Sequence, residues 1–364
     1  MSSDKKGLSI SRPAMQKYLS KREGKPVRVT EYVKLGSGWH GSGYKISYIA
    51  GKHKRSVVLR TINPVGFSHD HPSDRASVFI MQNELFNSIP GHVRSIDVGA
   101  AGLNGELISL GSASEFFQIV EVASGSPYVK DLDRIAGEGK LRKEDLAKAR
   151  LLSDYLVKLH KKKFNGPKER ERSIRLRHLR DAVGSGEMLM GVLDTYPPRS
   201  SWINDEAVAD VISLAVKFNR RIKELRIPLV RLHGDFHPGN IWFKGNKLTL
   251  LDASREPWGI AADDLTALSI NYIWYALKTT GGFKGPFKEL FEVFWGNYLS
   301  KTKDKFANAS APLFFAFRAA VVAHPLFYPA QSNAVRRKIF AFIKSILSAK
   351  VFDPGKINSY LRLK

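Results

Sequence analysis

Cysteine is absent from all 364 residues. Disulfides and thiolate metal sites are therefore excluded, which fits a reducing compartment. An apolar leader is also missing. The opening MSSDKKGLSISRP has no hydrophobic segment, so no secretory signal is expected and the chain is read as cytoplasmic. Long apolar runs are lacking too. The most apolar stretch, residues 311–330, is interrupted by Arg318 and by His324-Pro325. It is too broken for a membrane span and reads as a buried helix. Acidic residues are scarce relative to basic ones: 34 Asp and Glu stand against 58 Lys and Arg, a net charge of +24. Unless it is a compositional bias of the source, that balance favours anionic partners such as nucleotide phosphates, acidic substrates, RNA or anionic membrane surfaces. It says nothing about fold. Apolar content is ample for a core, and the length allows one large two-lobed unit or two domains.

The chemistry concentrates in residues 232–252, where LHGDFHPGNIWFK is followed by a turn and by LTLLD ending at Asp252. Phosphoryl transfer from a nucleotide needs a carboxylate beside the attacking hydroxyl. It also needs oxygen ligands that hold Mg²⁺ against the phosphates. Asp235 and Asn240 have the five-residue spacing of base and metal ligand in a kinase catalytic loop, and Asp252 would be the second metal ligand. Residues 241–243 and 248–251 are apolar or β-prone and flank the turn-like 244–247. A hairpin with that four-residue loop pairs Phe243 with Leu248. It sets Asn240 opposite Leu251, one register from Asp252. The alternative is a polar loop before a hairpin that happens to carry carboxylates.

The 232–252 string resembles the catalytic segment of the aminoglycoside phosphotransferase and choline kinase-like family, small-molecule kinases with the protein-kinase fold. The resemblance covers residues 27–300 and is sharpest at 232–252. It implies an α+β, protein-kinase-like two-lobed fold. Residues 1–26 would be a basic N-terminal arm. Residues 27–122 would be a small β-rich, nucleotide-binding N-lobe with one main helix. Residues 123–364 would form a larger helical C-lobe for catalysis and substrate binding.

In the first third, LGSGWHGSG (residues 35–43) joins two strand-like runs. Glycines let main-chain N–H groups approach phosphates closely. Because a strand follows rather than a helix, a Rossmann or Walker site is disfavoured. Gly36, Gly38 and Gly41 are read as a kinase-type phosphate lid, with a plain glycine-rich hairpin loop as the alternative. The next strand, residues 55–62, puts Val58, Arg60 and Ile62 on one face. Arg60 takes the place of the kinase lysine, a replacement the resemblance accommodates, because an arginine fork binds phosphate oxygens bidentately. The alternative is a surface arginine of an edge strand. A helix capped near Ser73 and Asp74, with an apolar stripe of Val78, Met81 and Leu85, is expected to end before Pro90-Gly91. Glu84 borders that stripe as the expected ion-pair partner of Arg60, with Arg75 or solvent as the alternative. Residues 93–100, 106–110 and 115–122 are expected to complete a five-stranded sheet. The resemblance makes the end of the last strand a hinge, where main-chain groups of Glu121 and Ala123 bind the adenine.

The remainder reads as helical. Residues 141–163 form a helix with Leu152, Tyr155, Leu156 and Leu159 on one face, and the resemblance gives His160 a structural role. Lys168, Arg170, Arg172, Arg175, Arg177 and Arg180 crowd one short segment. They form a solvated helix face or a surface for phosphate-bearing ligands or RNA. No RNA-binding consensus accompanies them, so nucleic acid is left open and not asserted. Asp264, or Asp263 in an alternative register, matches the family's second aspartate, which braces the catalytic loop. Trp274, Tyr275, Trp295 and residues 314–317 are read as core.

Three departures from protein kinases narrow the function. Gly234 stands where the phosphate-reading arginine would be. Ala253-Ser254 follows the metal aspartate instead of Phe-Gly. Only ten residues separate Asp252 from Asp263, too few for a peptide-positioning segment. The expectation is an ATP- and Mg²⁺-dependent kinase that transfers the γ-phosphoryl group to a hydroxyl of a small molecule: a sugar, polyol, amino alcohol or aminoglycoside-like compound. The basic composition leans toward a neutral or anionic acceptor. The alternatives are an atypical compact protein kinase and a non-catalytic basic scaffold binding nucleic acid. The acceptor's identity, ATP or GTP preference and oligomeric state are not legible.

Overall fold

The computed structural model describes residues 8–37, 41–64, 68–113, 115–116, 118, 120–197, 201–253 and 256–363. The chain divides into two compact units, Met1–Val120 and Glu121–Lys364.

The first unit opens with helix α1 (Arg12–Glu23), capped at both ends. The Ser11 hydroxyl oxygen accepts the Ala14 N–H at 3.3 Å, and Gly24 closes the helix at φ 64°, a left-handed value that glycine adopts without a Cβ penalty. Met15 and Leu19, one turn apart, are buried with Val27, Val29, Ile46, Tyr48 and Ala50. Residues 12–23 are thus an ordered helix sharing a core. This corrects the expected N-terminal arm, and the physical reason is that i, i+4 apolar pair between two good caps.

Strands β1 (Val27–Ser37), β2 (Gly41–Ala50) and β3 (His53–Ile62) form an antiparallel meander. Alternate residues of β3 divide between faces: Val57, Leu59 and Thr61 turn inward, whereas Val58 and Arg60 are exposed. Helix α2 (Pro72–Ser88) starts from His71, whose N–H is accepted by the Asp74 carboxylate at 2.7 Å. None of its residues is buried, and Met81 and Leu85 of the expected apolar stripe are exposed.

The five-stranded sheet is corrected. Strands β4 (Gly99–Ala101) and β5 (Leu107–Ser109) make a separate hairpin, and the described residues of 115–122 are not strand. A strand needs partners for its main-chain N–H and C=O groups as well as apolar alternation. No described strand pairs with 115–122.

The second unit runs β6 (Ser126–Pro127), α3 (Val129–Glu138), α4 (Lys143–His160), α5 (Lys168–Gly184), α6 (Leu189–Asp194), α7 (Asp205–Ile222), β7 (Val230–Arg231), β8 (Ile241–Lys244), β9 (Lys247–Leu250), β10 (Trp258–Gly259), α8 (Ala262–Thr280), α9 (Pro286–Thr302), α10 (Ala307–Ala323), α11 (Asn333–Ser348) and α12 (Ile357–Tyr360). Helix α8 is buried from Ala262 to Leu277. Its polar residues therefore have to find partners inside: the Thr266 and Ser269 hydroxyls donate to the Asp263 and Leu265 carbonyls at 3.1 and 2.7 Å. Helix α10 packs beside α8 and α11 and ends at His324-Pro325. Trp295, Phe294, Phe314 and Phe315 lie in the same core. A β-rich first unit and a helical second unit give the α+β class, although the first unit carries two helices where one was expected. Among the described residues, no helix is long and apolar enough to cross a membrane.

Candidate active site

The site in the second unit is built on a short loop held from below. Strand β7 pairs antiparallel with β10, and Leu232 N–H donates to the Pro257 carbonyl at 3.2 Å. The chain then turns over the N-terminus of α8. Asp264 is fully buried there. Its two carboxylate oxygens accept the main-chain N–H groups of His233 at 2.9 Å and Gly234 at 2.8 Å. His160 Nε2 lies 3.2 Å from the same carboxylate, and its Nδ1 lies 2.9 Å from the Tyr298 hydroxyl. Burial pushes the Asp264 carboxyl up, but His160 and the two amides outweigh it and hold it below the usual carboxylate range. Asp264 therefore has the bracing position, and His160 supports it. Gly234 has φ 86°, a conformation that favours glycine over the arginine of protein kinases.

From this anchor the loop folds back on itself. Asp235 N–H donates to His233 Nδ1 at 3.2 Å, His237 N–H to the Asp235 carbonyl at 2.9 Å, and Asn240 N–H to the His237 carbonyl at 3.0 Å. Phe236 is buried and stacks on Tyr155 with ring centroids 5.9 Å apart. That contact turns the loop's apolar side into the core and leaves Asp235 partly exposed. The Asn240 side chain donates through Nδ2 to the Asp235 carbonyl at 3.1 Å and to Asp235 Oδ2 at 3.2 Å.

The hairpin has the register read from the sequence. Phe243 pairs with Leu248 and Ile241 with Leu250, and Leu251 N–H donates to the Asn240 carbonyl at 2.9 Å. Asp252 follows immediately, exposed, at φ 51°. Asn240 and Asp252 thus stand one position apart at the hairpin's open end, and Asp235 is bonded to the first of them.

Three residues around Asp235 were not singled out from the sequence. Arg318 of α10, buried at 6% exposure, donates from Nη1 to Asp235 Oδ1 at 2.5 Å. From Nη2 it donates to the Gly234 carbonyl at 2.9 Å and to Asp263 Oδ1 at 3.0 Å. Burial works against its charge, but Asp263 and Asp235 outweigh that, and its pKa is raised above the ordinary arginine value. His178 of α5 lies with Nε2 3.7 Å from the other oxygen of Asp263. His237 accepts the Gly239 N–H at Nδ1, which leaves the proton of the neutral ring on Nε2, 3.6 Å from Asp235 Oδ2. Burial keeps His237 below the ordinary histidine value despite the pull of Asp235. A signal for Arg318 was present: a lone cation in the apolar run LFFAFRAAVVA needs an anionic partner.

The basic segment on α5 is not uniformly a solvated face. Lys168, Arg170, Arg172 and Arg180 are exposed, but Arg175 is buried and Arg177 meets Glu256 at 2.5 Å and Asp181 at 3.3 Å.

In the first unit, Gly36 pairs with Gly43 and Gly41 with Ile62, and Gly38 lies outside the described residues. A Cβ at Gly41 would sit 2.0 Å from the Thr61 carbonyl oxygen, so the β2–β3 approach itself requires glycine there. Arg60 donates to Gln82 Oε1 at 3.2 Å and lies 5.4 Å from the Phe86 ring centroid. It makes no ion pair with Glu84 among the described residues, which corrects the expected pairing. Gln82 and Phe86 are one helical turn apart and share a face, whereas Glu84 lies about 200° round the helix from either. Glu84 instead lines a cleft of about 620 Å³ with Ile80, Asn83, Val98 and Phe116. Glu121 and Ala123 begin the second unit in irregular chain. Their main-chain groups make no hydrogen bond among the described residues.

No family model matches the chain, and no curated protein sequence matches it. Solved structures similar to it include the amicoumacin kinase hAmiN in complex with AMP-PNP, Ca²⁺ and Ami (15% identity, 90% of this chain and 91% of that chain, TM-score 0.42). A glucosamine kinase (12% identity, 92% of each chain, TM-score 0.34) is another. A third is a choline/ethanolamine kinase family protein from Mesorhizobium loti (12% identity, 92% of each chain, TM-score 0.36). All three are kinases of small molecules, the class that the 232–252 string resembles. Their TM-scores lie below 0.5, so the functional reading rests on the site's own residues.

Proposed function

We propose that the chain is a nucleotide-dependent phosphotransferase acting on a hydroxyl of a small molecule, with Asp235 as its base. The observation that carries this is the Asn240 amide bonded to the Asp235 carboxylate at the open end of a hairpin whose next free carboxylate is Asp252. In the reaction the acceptor O–H bond breaks and its proton passes to Asp235. The acceptor oxygen bonds the γ-phosphorus, the bond to the β–γ bridging oxygen breaks, and the nucleoside diphosphate leaves. Positioning and charge neutralisation supply most of the rate.

The donor set fits a hard divalent cation such as Mg²⁺. The Nδ2 end of Asn240 is engaged by Asp235, which leaves its carbonyl oxygen as the ligand, and the Asp252 carboxylate has no bonded partner among the described residues. Asn240 and Asp252 would hold the ion, whose chemistry is to neutralise phosphate charge. Gly36, Gly38, Gly41 and Arg60 are assigned to the phosphates of ATP. The unengaged main chain of Glu121 and Ala123 is assigned to the adenine. Glu84 has no part in holding Arg60.

The carboxylates beside Asp235 favour a neutral or anionic acceptor over a polycation. Asp263 is engaged by Arg318, and Asp264 by two amides and His160. Neither presents an acidic wall. The test is ADP release from Mg·ATP across sugars, polyols, amino alcohols, sugar acids and aminoglycosides. Release dependent on a neutral or anionic hydroxyl compound is expected. Release dependent on aminoglycosides alone overturns the acceptor class, and release dependent only on added protein overturns the small-molecule reading.

A further inference from the structure

We infer that Arg318 is a positioning residue for phosphoryl transfer: it clamps Asp235 Oδ1 and so fixes the orientation of the carboxylate toward the acceptor hydroxyl. This rests on the phosphotransferase reading above. Asp235 comes from a loop, and a loop carboxylate on its own turns freely about its Cβ–Cγ bond. Here its two oxygens are told apart. Oδ1 meets the Arg318 fork at 2.5 Å. Oδ2 meets the Asn240 amide at 3.2 Å and lies 3.6 Å from His237 Nε2.

Arg318 is itself fixed. Its second nitrogen holds the Gly234 carbonyl and Asp263 Oδ1, and its guanidinium lies 4.7 Å from the Phe317 ring centroid. Asp263 has His178 at 3.7 Å on its other side. One buried cation thus ties the carboxylate, the main chain before it and the first turn of α8 into a single body. The Asp264 bonds fix the amides of His233 and Gly234, and Arg318 fixes the carbonyl and the side chain that follow. Lysine carries the charge but has no planar fork, and it cannot reproduce three directed bonds from two nitrogens.

The experiment compares the wild type with Arg318→Lys, Arg318→Met and Asp263→Asn in acceptor-dependent turnover from pH 5 to 9, with folding followed by circular dichroism. Arg318→Lys is expected to lose about 10- to 100-fold in kcat, the scale of a small misplacement of a reacting group, with nucleotide KM within twofold. Asp263→Asn, which loosens Arg318 without touching Asp235, is expected to lower kcat in the same direction by less. Arg318→Met is expected to lose more kcat than Arg318→Lys, again with nucleotide KM within twofold. A purely structural arginine would not separate kcat from KM in this way in folded variants. If Arg318→Met does not fold, Arg318→Lys decides: wild-type kcat in that folded variant overturns the inference. Turnover surviving in Asp235→Asn overturns the phosphotransferase reading instead, so the two failures are distinguishable.

Discussion

Asp264 Oδ1 accepts the main-chain N–H of Gly234 at 2.8 Å, and Oδ2 of the same carboxylate accepts His233 N–H at 2.9 Å. This pair of bonds places Asp235, because the loop's entry is pinned one residue before it. Asp264→Ala leaves two buried amides and His160 without their acceptor, and about 3–5 kcal/mol of stability should be lost. The milder Asp264→Asn keeps one acceptor oxygen and should lose less. The carboxyl's pKa is depressed in the folded state, so its contribution is complete above its unfolded value near 4 and is lost as pH falls toward the folded value. Urea unfolding should show a constant gap between wild type and Asp264→Asn at pH 5 to 7 that narrows below about pH 4. A gap that widens in acid contradicts the assignment.

Gly234→Ala places a Cβ at φ 86°. That backbone conformation costs a non-glycine residue about 1–2 kcal/mol, and relief of the strain rotates the amide away from Asp264. Thermal unfolding should fall accordingly, and kcat should fall more steeply than stability alone explains. An unchanged kcat would separate this turn from catalysis.

Asp252→Asn keeps a residue type that tolerates φ 51° and is exposed, so stability should change by less than about 0.5 kcal/mol. Divalent-cation affinity, read by calorimetry in the presence of nucleotide, should fall more than about tenfold through loss of a charged ligand. Asn240→Ala should weaken metal binding as well, and it also frees Asp235 Oδ2 from its amide donor. Undiminished metal affinity in both variants would remove these residues from the metal site.

Arg60→Ala removes an exposed side chain bonded to Gln82. Stability should stay within about 0.5 kcal/mol, and KM for the nucleotide should rise about tenfold with a lost charge-assisted phosphate contact. Glu84→Gln should leave that KM within twofold. Equal effects of the two would restore the ion pair that the contacts of Arg60 replace.

What the sequence made legible was local. The hairpin register from Asn240 to Leu251 follows from two apolar runs and a turn, and the pairing of Phe243 with Leu248 needs no distant information. The Asp264 brace and the supporting His160 were carried by resemblance, and the contacts agree with that reading. Arg318 was visible only as an interruption of an apolar helix. Its partner Asp235 lies 83 residues away, and spacing along the chain cannot show such a contact. The helix at residues 12–23 was hidden by its charges, because only Met15 and Leu19 mark its buried side. The five-stranded sheet was over-read because alternation at 115–122 says nothing of a pairing partner, and no described strand pairs there. Glu84 was chosen for its chemistry and excluded by helical phase.

The most direct test of the central claim is turnover by Asp235→Asn with the acceptor that the wild type accepts. Asparagine keeps the size and the hydrogen bond at Oδ1 but cannot take the hydroxyl proton. Acceptor-dependent ADP release should fall by about 10²–10⁴-fold, the range of a lost general base, while nucleotide affinity by calorimetry stays within a few-fold. Wild-type release from the folded variant would contradict the assignment of Asp235 and, with it, the function proposed for the site.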